Sequence, residues 1–271
     1  MKTMIKLMAI PALALALGAP ALAGQKVVLE GSTTVLPIAQ HAAEDFMKLH
    51  KDADISVRGG GSGVGLASIL DGACDIADAS RAIQPAEVAE GKKRGRNILP
   101  TVVAMDGIAP VVYPSNPVKG LTKEQIKSIY TGKFSNWSEV GGRDLKIVVI
   151  SRDSSSGTFE AFNELVLSNE KVRPDAIMQA SNQAVAGTVS RTPGAIGYVG
   201  LGYLNSTIKA LSVNGVMPSK ATVLNHKYPV SRPLYMYTNG KPAGTAKQFL
   251  DFVKSKAGQK IVEAEGFVGL K

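Results

Sequence analysis

The stretch VVLEGSTTVLPIAQHAAEDFMKL, residues 27–49, decides the class of fold. Val27-Val28-Leu29 reads as a short strand, rich in the β-branched residues that suit a pleated surface. It runs into Gly31-Ser32-Thr33-Thr34, a glycine followed by three hydroxyl residues. After Pro37 the apolar residues Ile38, Ala42, Phe46 and Leu49 recur at helical spacing. A helix start leaves backbone N–H groups unpaired and carries a partial positive charge, so a loop of this kind suits an anion.

The pattern returns twice. Ile55-Ser56-Val57 alternates like a strand and delivers Gly59-Gly60-Gly61-Ser62-Gly63, then a short helix with Leu66, Ile69 and Leu70 that ends at Asp71-Gly72. Leu145 to Ile150 reads as a buried strand leading to Arg152-Asp153-Ser154-Ser155-Ser156-Gly157-Thr158, and Phe159, Phe162, Leu165 and Val166 give the next helix its apolar face. A further strand, Asp75 to Ala79, ends in Ser80-Arg81. Strand, loop and helix in repetition predict an α/β fold with mostly parallel sheet, whose ligands bind beyond the carboxyl ends of the strands. Three such loops, one led by an arginine, point to convergence on one small oxyanion.

Elsewhere, Ile98–Val103 and Ile108–Tyr113 read as strands separated by Asp106-Gly107, a place where the chain could cross between domains. Thr122-Lys123-Glu124-Gln125 is a capping box opening a helix that runs to about Tyr130. A shorter helix near Val185–Ser190 precedes a strand at Ala195–Val199. Leu234–Tyr237 is another strand, and Thr245–Gln248 caps a final helix carrying Phe249, Phe252 and Val253.

Residues 1–23 have the form of a cleavable secretory signal: Lys2 and Lys6, an apolar run from Leu7 to Gly18, and Ala21-Leu22-Ala23 at the cleavage site. Gly24 rather than a cysteine stands directly after that site, and no later run reaches the ~20 apolar residues of a membrane span. A soluble periplasmic protein without stable membrane insertion is the expectation. The remaining 248 residues favour two domains. Cys74, the only cysteine, reads as a small buried side chain rather than a nucleophile or ligand.

The chain carries a formal charge of +9, or +7 without Lys2 and Lys6, and its charges are scattered. Lys92-Lys93-Arg94-Gly95-Arg96, after the helix start Pro85-Ala86-Glu87, reads as a solvated helix end. One tryptophan and no interleaving of aromatic with basic residues give nucleic-acid binding no support. Gly60-Gly61-Ser62-Gly63-Val64 lacks the second glycine of a nucleophile elbow, and no glycine run fits a dinucleotide fingerprint or a P-loop. His41, His50 and His226 are isolated, so neither a metal site nor a general base beside a nucleophile is built. Binding without catalysis or cofactor fits better. A tetrahedral dianion calls for fixed donors: helix N-termini, hydroxyls and a bidentate arginine. Arg152, at a strand end, is the strongest single candidate; the alternative is a surface arginine paired with Asp153. Ser32, Ser62 and Ser156 could each be an ordinary N-cap instead.

In this order, several stretches resemble the periplasmic phosphate-binding proteins of the PstS family, the ligand-capturing subunits of ABC phosphate importers. They are Gly31 to Pro37, Gly60 to Gly63, Asp75-Ile76-Ala77 with Ser80-Arg81, Asp106 to Ala109, Leu121 to Ile126 with Ile129 to Gly132, Asn136-Trp137 through Gly142, Arg152 to Thr158, and Thr192 to Gly200. The resemblance covers nearly all of the chain after the signal. It implies a two-domain clamshell of the type II binding-protein class, each domain a mostly parallel sheet flanked by helices, with the ligand in the cleft. Domain I would comprise 24–106 plus 229–271, and domain II 107–228, with crossings near Asp106 and Tyr228.

The resemblance also implies a monomer that binds inorganic phosphate and docks on membrane permease subunits. Ser32, Thr33, Thr34, Ser62 and Ser80 would contact the anion from one domain, and Arg152, Ser156, Gly157 and Thr158 from the other. Better-known branches place aspartates where this chain has Arg81 and Ser154, so Arg81 would add a cation to the site. An acceptor for the phosphate proton must then come from Asp106, Asp78 or Asp153, and Asp106 is favoured; otherwise Asp106 only braces the hinge. The alternatives are another tetrahedral oxyanion (sulfate, molybdate or tungstate), an exported phosphatase, or a scaffold role.

Overall fold

The computed structural model describes residues 26–270; the signal expected at residues 1–23 lies outside them. β1 (Lys26–Gly31) passes through a turn at residues 32–35 into α1 (Leu36–Leu49). Pro37 sits in the first turn of α1, where a missing N–H costs nothing, and Ile38, Ala39, Ala42, Ala43 and Phe46 form its buried face. β2 (Asp54–Gly59), α2 (Ser62–Asp71) and β3 (Ile76–Ala79) follow, α2 ending on a left-handed Gly72 with φ +76°. α3 (Pro85–Lys93) begins with a Gln84–Glu87 capping box. In its last turn Lys92 and Lys93 are exposed, and Arg94 pairs with Glu90 and Asp71, as a solvated helix end should.

β4 (Ile98–Val112) is one continuous strand where the sequence predicts two. Asp106 and Gly107 stay in the ladder opposite Arg232 and Ser231, and Asp106 is buried against Arg232 rather than turning the chain. The chain continues through β5 (Gly120–Leu121), α4 (Lys123–Tyr130) with the Thr122 capping box, and a 3-10 turn at Trp137–Val140. β6 (Val148–Arg152) leads to α5 (Gly157–Phe162), which widens into a π-helix at Asn163–Leu167. Then come β7 (Ile177–Gln179), α6 (Asn182–Val189), β8 (Ala195–Gly200), a 3-10 turn at Leu201–Tyr203, β9 (Lys209–Ala210), β10 (Ser212–Val213), α7 (Lys220–Leu224) and β11 (Ser231–Asn239). The single final helix of the sequence analysis is two, α8 (Gly244–Lys254) and α9 (Lys256–Ala264). Ser255 is extended, ends α8, and caps α9 by accepting from Gly258 N–H.

The main sheet runs β2-β1-β3-β11-β4-β8-β6-β7 and contains the same motif twice. β2 and β3 flank β1 in parallel, with β11 antiparallel beside β3. β7 and β8 flank β6 in parallel, with β4 antiparallel beside β8. The first part of β4 pairs with β11 and the last part, from Ile108, with β8, so β4 belongs to both halves. Each half has its own core: Leu29, Ile38, Phe46, Ile76, Met236 and Phe249 in one; Ile126, Tyr130, Trp137, Phe162, Ile196 and Tyr198 in the other. The result is a two-lobed clamshell in which the carboxyl ends of β1, β2 and β3 face those of β6, β7 and β8. Cys74 is buried in the first lobe, and burial pushes its thiol up to about 11.

Candidate anion-binding cleft

Backbone amides and hydroxyls from both lobes meet in the cleft. Ser32 Oγ accepts from Thr34 N–H at 3.1 Å and Val35 N–H at 3.4 Å, so it ties down the turn that leads into α1 while its own proton remains free to donate. Ser62 opens α2, and its Oγ accepts from Ser80 N–H at 3.0 Å and lies 3.3 Å from Ser80 Oγ. Ser156 caps α5 by accepting from Phe159 N–H at 3.2 Å. The capping alternative therefore holds for Ser156, whereas Ser32 braces the turn before α1 and Ser62 follows the cap residue Gly61.

The lobes touch closely here. Thr34 Oγ1 lies 2.9 Å from Thr158 Oγ1. A Cβ on Gly157 would fall 2.2 Å from Ser62 Oγ, so only glycine fits that approach. Beside it, Gly63 N–H donates to Ser155 C=O at 2.9 Å and Ser155 Oγ–H to Gly60 C=O at 3.1 Å.

Arg152 ends β6 and is 1% exposed. Its backbone N–H donates to the Tyr198 hydroxyl at 3.1 Å, and the Tyr198 ring stacks on Phe162 with centroids 4.0 Å apart. The packed core of the second lobe thus fixes where this arginine starts. Its Nε donates to Gln179 C=O at 2.9 Å and its Nη2 to Ala180 C=O at 3.0 Å, while Nη1 has no partner. Asp153, its neighbour in sequence, instead accepts from Ser155 N–H at 2.9 Å. Burial pulls the Arg152 guanidinium below its ordinary range. A buried cation held only by neutral carbonyls has paid for desolvation without a counter-ion, which makes it a strong attractor for an anion.

Arg81 does not join this group. Its two terminal nitrogens grip Glu87 at 2.8 Å each, and its Nε lies 2.6 Å from Glu160 Oε2 on α5 of the other lobe. Gln84 also donates to Glu160. Two carboxylates hold Arg81 at the rim of the cleft, where it bridges the lobes. Asp78 is buried in β3; its backbone C=O accepts from Ser32 N–H at 2.8 Å, but its carboxyl oxygens have no partner, and burial raises the carboxyl well above the ordinary range.

Three residues in the cleft were not anticipated. Arg232, at the start of β11, is 4% exposed. It donates to Asp106 Oδ2 through Nε at 3.2 Å and Nη2 at 2.9 Å, to Gly157 C=O through Nη1 at 3.1 Å, and through Nη2 to Thr158 Oγ1 at 3.0 Å. Asn182, at the start of α6, donates from Nδ2 to Thr34 Oγ1 at 3.0 Å and Thr33 Oγ1 at 3.3 Å. The Tyr203 hydroxyl donates to Thr33 C=O. The loop from β7 to α6 is the topological counterpart of the loop from β2 to α2, and Ser181-Asn182 stands where Gly61-Ser62 stands in the other half.

Residues 18–257 match the model of a PBP superfamily domain. The phosphate-binding protein PstS of Bacillus subtilis is 37% identical over 91% of this chain and 81% of its own length. The chain belongs to the PstS family. PstS of Borreliella burgdorferi is 35% identical over 91% of both chains. A solved structure of a putative phosphate ABC transporter substrate-binding protein from Clostridium perfringens, with bound phosphate, superposes with a TM-score of 0.86 at 36% identity. That match covers 91% of this chain and all of the other. Among the described residues of this family member, no helix is long and apolar enough to cross a membrane.

Proposed function

We propose that this protein captures inorganic phosphate in the cleft, closes over it, and delivers it to the permease of an ABC transporter. One observation carries the reading: Arg152 is a buried guanidinium with an unpartnered Nη1, at the end of the strand that leads into α5, whose Thr158 meets Thr34 of the other lobe. That array offers many donors and one uncompensated positive charge, which is what a tetrahedral dianion requires. The relatives' names and the phosphate-bound relative support phosphate as the ligand.

The lobes correspond to residues 24–106 with 229–271, and to 107–228. The contact set is Ser32, Thr33, Thr34, Ser62 and Ser80 on one side, and Arg152, Ser156, Gly157 and Thr158 on the other. Closure buries the anion, and the closed shape reports a loaded protein to the permease. The protein works as a secreted periplasmic monomer without catalysis.

Isothermal titration calorimetry with inorganic phosphate tests this. Arg152→Ala should weaken binding by about 2–5 kcal/mol, the range for truncating one partner of a buried charge contact. Its thermal unfolding without phosphate should stay close to that of the parent. Unchanged affinity would place the arginine outside the site, and no binding by the parent would end the proposal.

A further inference from the structure

Thr34 and Thr158 form a hydroxyl pair whose neighbours within hydrogen-bond reach are donors. Each hydroxyl has one proton and two acceptor positions. Asn182 Nδ2 donates to Thr34 Oγ1 at 3.0 Å, and Arg232 Nη2 donates to Thr158 Oγ1 at 3.0 Å and, more weakly, to Thr34 Oγ1 at 3.4 Å. The Asn182 amide cannot be turned around, because its Oδ1 accepts from Gly200 N–H at 3.2 Å. The two threonines also share one bond between themselves at 2.9 Å. Arg232 Nη2 has two protons, and Asp106 Oδ2 takes one of them, so its approach to Thr34 is only the minor branch of the bond to Thr158. With the mutual bond, three of the pair's four acceptor positions are filled and one of its two protons is used. Whichever threonine donates to the other, one proton is left, and it can only be donated outward.

Asp106 is committed as well. Its Oδ1 accepts from Leu201 N–H at 2.9 Å, and its Oδ2 accepts twice from Arg232. It is completely buried, and a Cβ on Gly200 would already stand 3.0 Å from Oδ2. The carboxylate that the sequence marks as the acceptor of a phosphate proton is therefore spent on the arginine beside it.

We propose that Arg232, anchored by Asp106, is a positioning residue that makes the Thr34–Thr158 pair an obligate donor to the ligand, and that Asp106 discriminates between anions only through that arginine. The proposal rests on the phosphate reading above, and it gives Asp106 a different task from accepting the ligand's proton. A carboxylate facing the ligand repels sulfate, which has no proton to offer, so neutralising it would admit sulfate. A carboxylate facing Arg232 does nothing of the kind.

Calorimetric titration at one fixed pH with inorganic phosphate, and with sulfate alone and in competition, separates the two tasks. Asp106→Asn should weaken phosphate binding on the order of 10-fold, the scale of one charge-assisted hydrogen bond, while leaving the ratio of phosphate to sulfate affinity within about threefold of the parent. Arg232→Lys keeps a cation but cannot reach Asp106, Gly157 and Thr158 together, so it should recover little of the loss in Arg232→Met.

Because Arg232 is buried and its variants could misfold, Thr34→Val and Thr158→Val carry an independent arm. Each should weaken phosphate binding, and the double variant should be hardly worse than either single one, since either change breaks the same relay. Sulfate binding gained in Asp106→Asn, or additive losses for the two valines, would overturn the proposal while phosphate binding by the parent stands. No phosphate binding by the parent would overturn both readings.

Discussion

Gly157→Ala should hold the cleft open while each lobe stays folded. The added Cβ would sit 2.2 Å from Ser62 Oγ, 2.8 Å from Ser62 Cβ and 2.9 Å from Ser80 Oγ, all on the opposite lobe. Ser62 cannot swing aside freely, because its Oγ accepts the Ser80 N–H at 3.0 Å. Ordinary contact begins near 3.4 Å, so relief requires the lobes to part by more than about 1 Å at this point. Overpacking of this kind costs about 1–3 kcal/mol, and at 1.4 kcal/mol per decade phosphate affinity should drop about 5- to 150-fold. Thermal unfolding without ligand should barely change, whereas the upward shift produced by phosphate should shrink with the logarithm of the lost affinity. Ser62→Gly in the same background removes the two shortest contacts and should restore part of the closure, though Ser62 is itself a proposed donor. Parental affinity in Gly157→Ala would show that the lobes do not approach this closely on the ligand. A large loss of stability without ligand would show instead that the glycine is needed within its own lobe.

Asp78 gives a prediction about stability and pH. Its carboxyl is raised above the ordinary 3.8 by burial, so folding favours its protonated form. Its contribution to stability is present below the unfolded value and is lost as pH rises towards the folded one. Asp78→Asn should therefore be more stable than the parent at neutral pH, and the gain should vanish as pH approaches 4; equal stability at pH 7 in denaturant melts would refute it. At the rim, Glu160→Gln removes the charge that faces Arg81 across the lobes while Glu87 still holds the arginine. Partly exposed pairs contribute about 1 kcal/mol or less, so phosphate release in stopped flow should quicken by about two- to fivefold, and an unchanged rate would show that the rim does not bear on closure.

What could be read from the sequence was local. The α/β class, the three glycine–hydroxyl loops and Arg152 all depend on residues within a few positions of one another, where strand, turn and cap chemistry act. Arg232 was out of reach because Ser231-Arg232-Pro233 carries no motif. Its role exists only because β11 lies against β4 in the register that sets Arg232 opposite Asp106, a partner 126 positions away. Asn182 had a signal that went unused: a Ser-Asn pair between strand and helix, in the half of the chain that repeats the first half's order. Arg81 was drawn into the site by its neighbour Ser80, although Glu87, six residues on, was there to claim it. Asp106-Gly107, a polar residue followed by glycine, looked like a break in the chain, when an arginine from another strand lets Asp106 stay in the ladder.

The two segments that pass between the lobes are hydrogen-bonded to one another where they cross, Asp106 opposite Arg232 and Gly107 opposite Ser231. A lone strand would let one lobe swivel about the strand's own axis. A two-strand ribbon resists that torsion and bends easily about one line only, much as the spine of a book does. An opened molecule should then keep its lobes in alignment, so that Gly157 comes back to Ser62 and Thr158 to Thr34 on every closure. Recapture would be governed by how often an anion arrives, with little time lost while the two halves find their register.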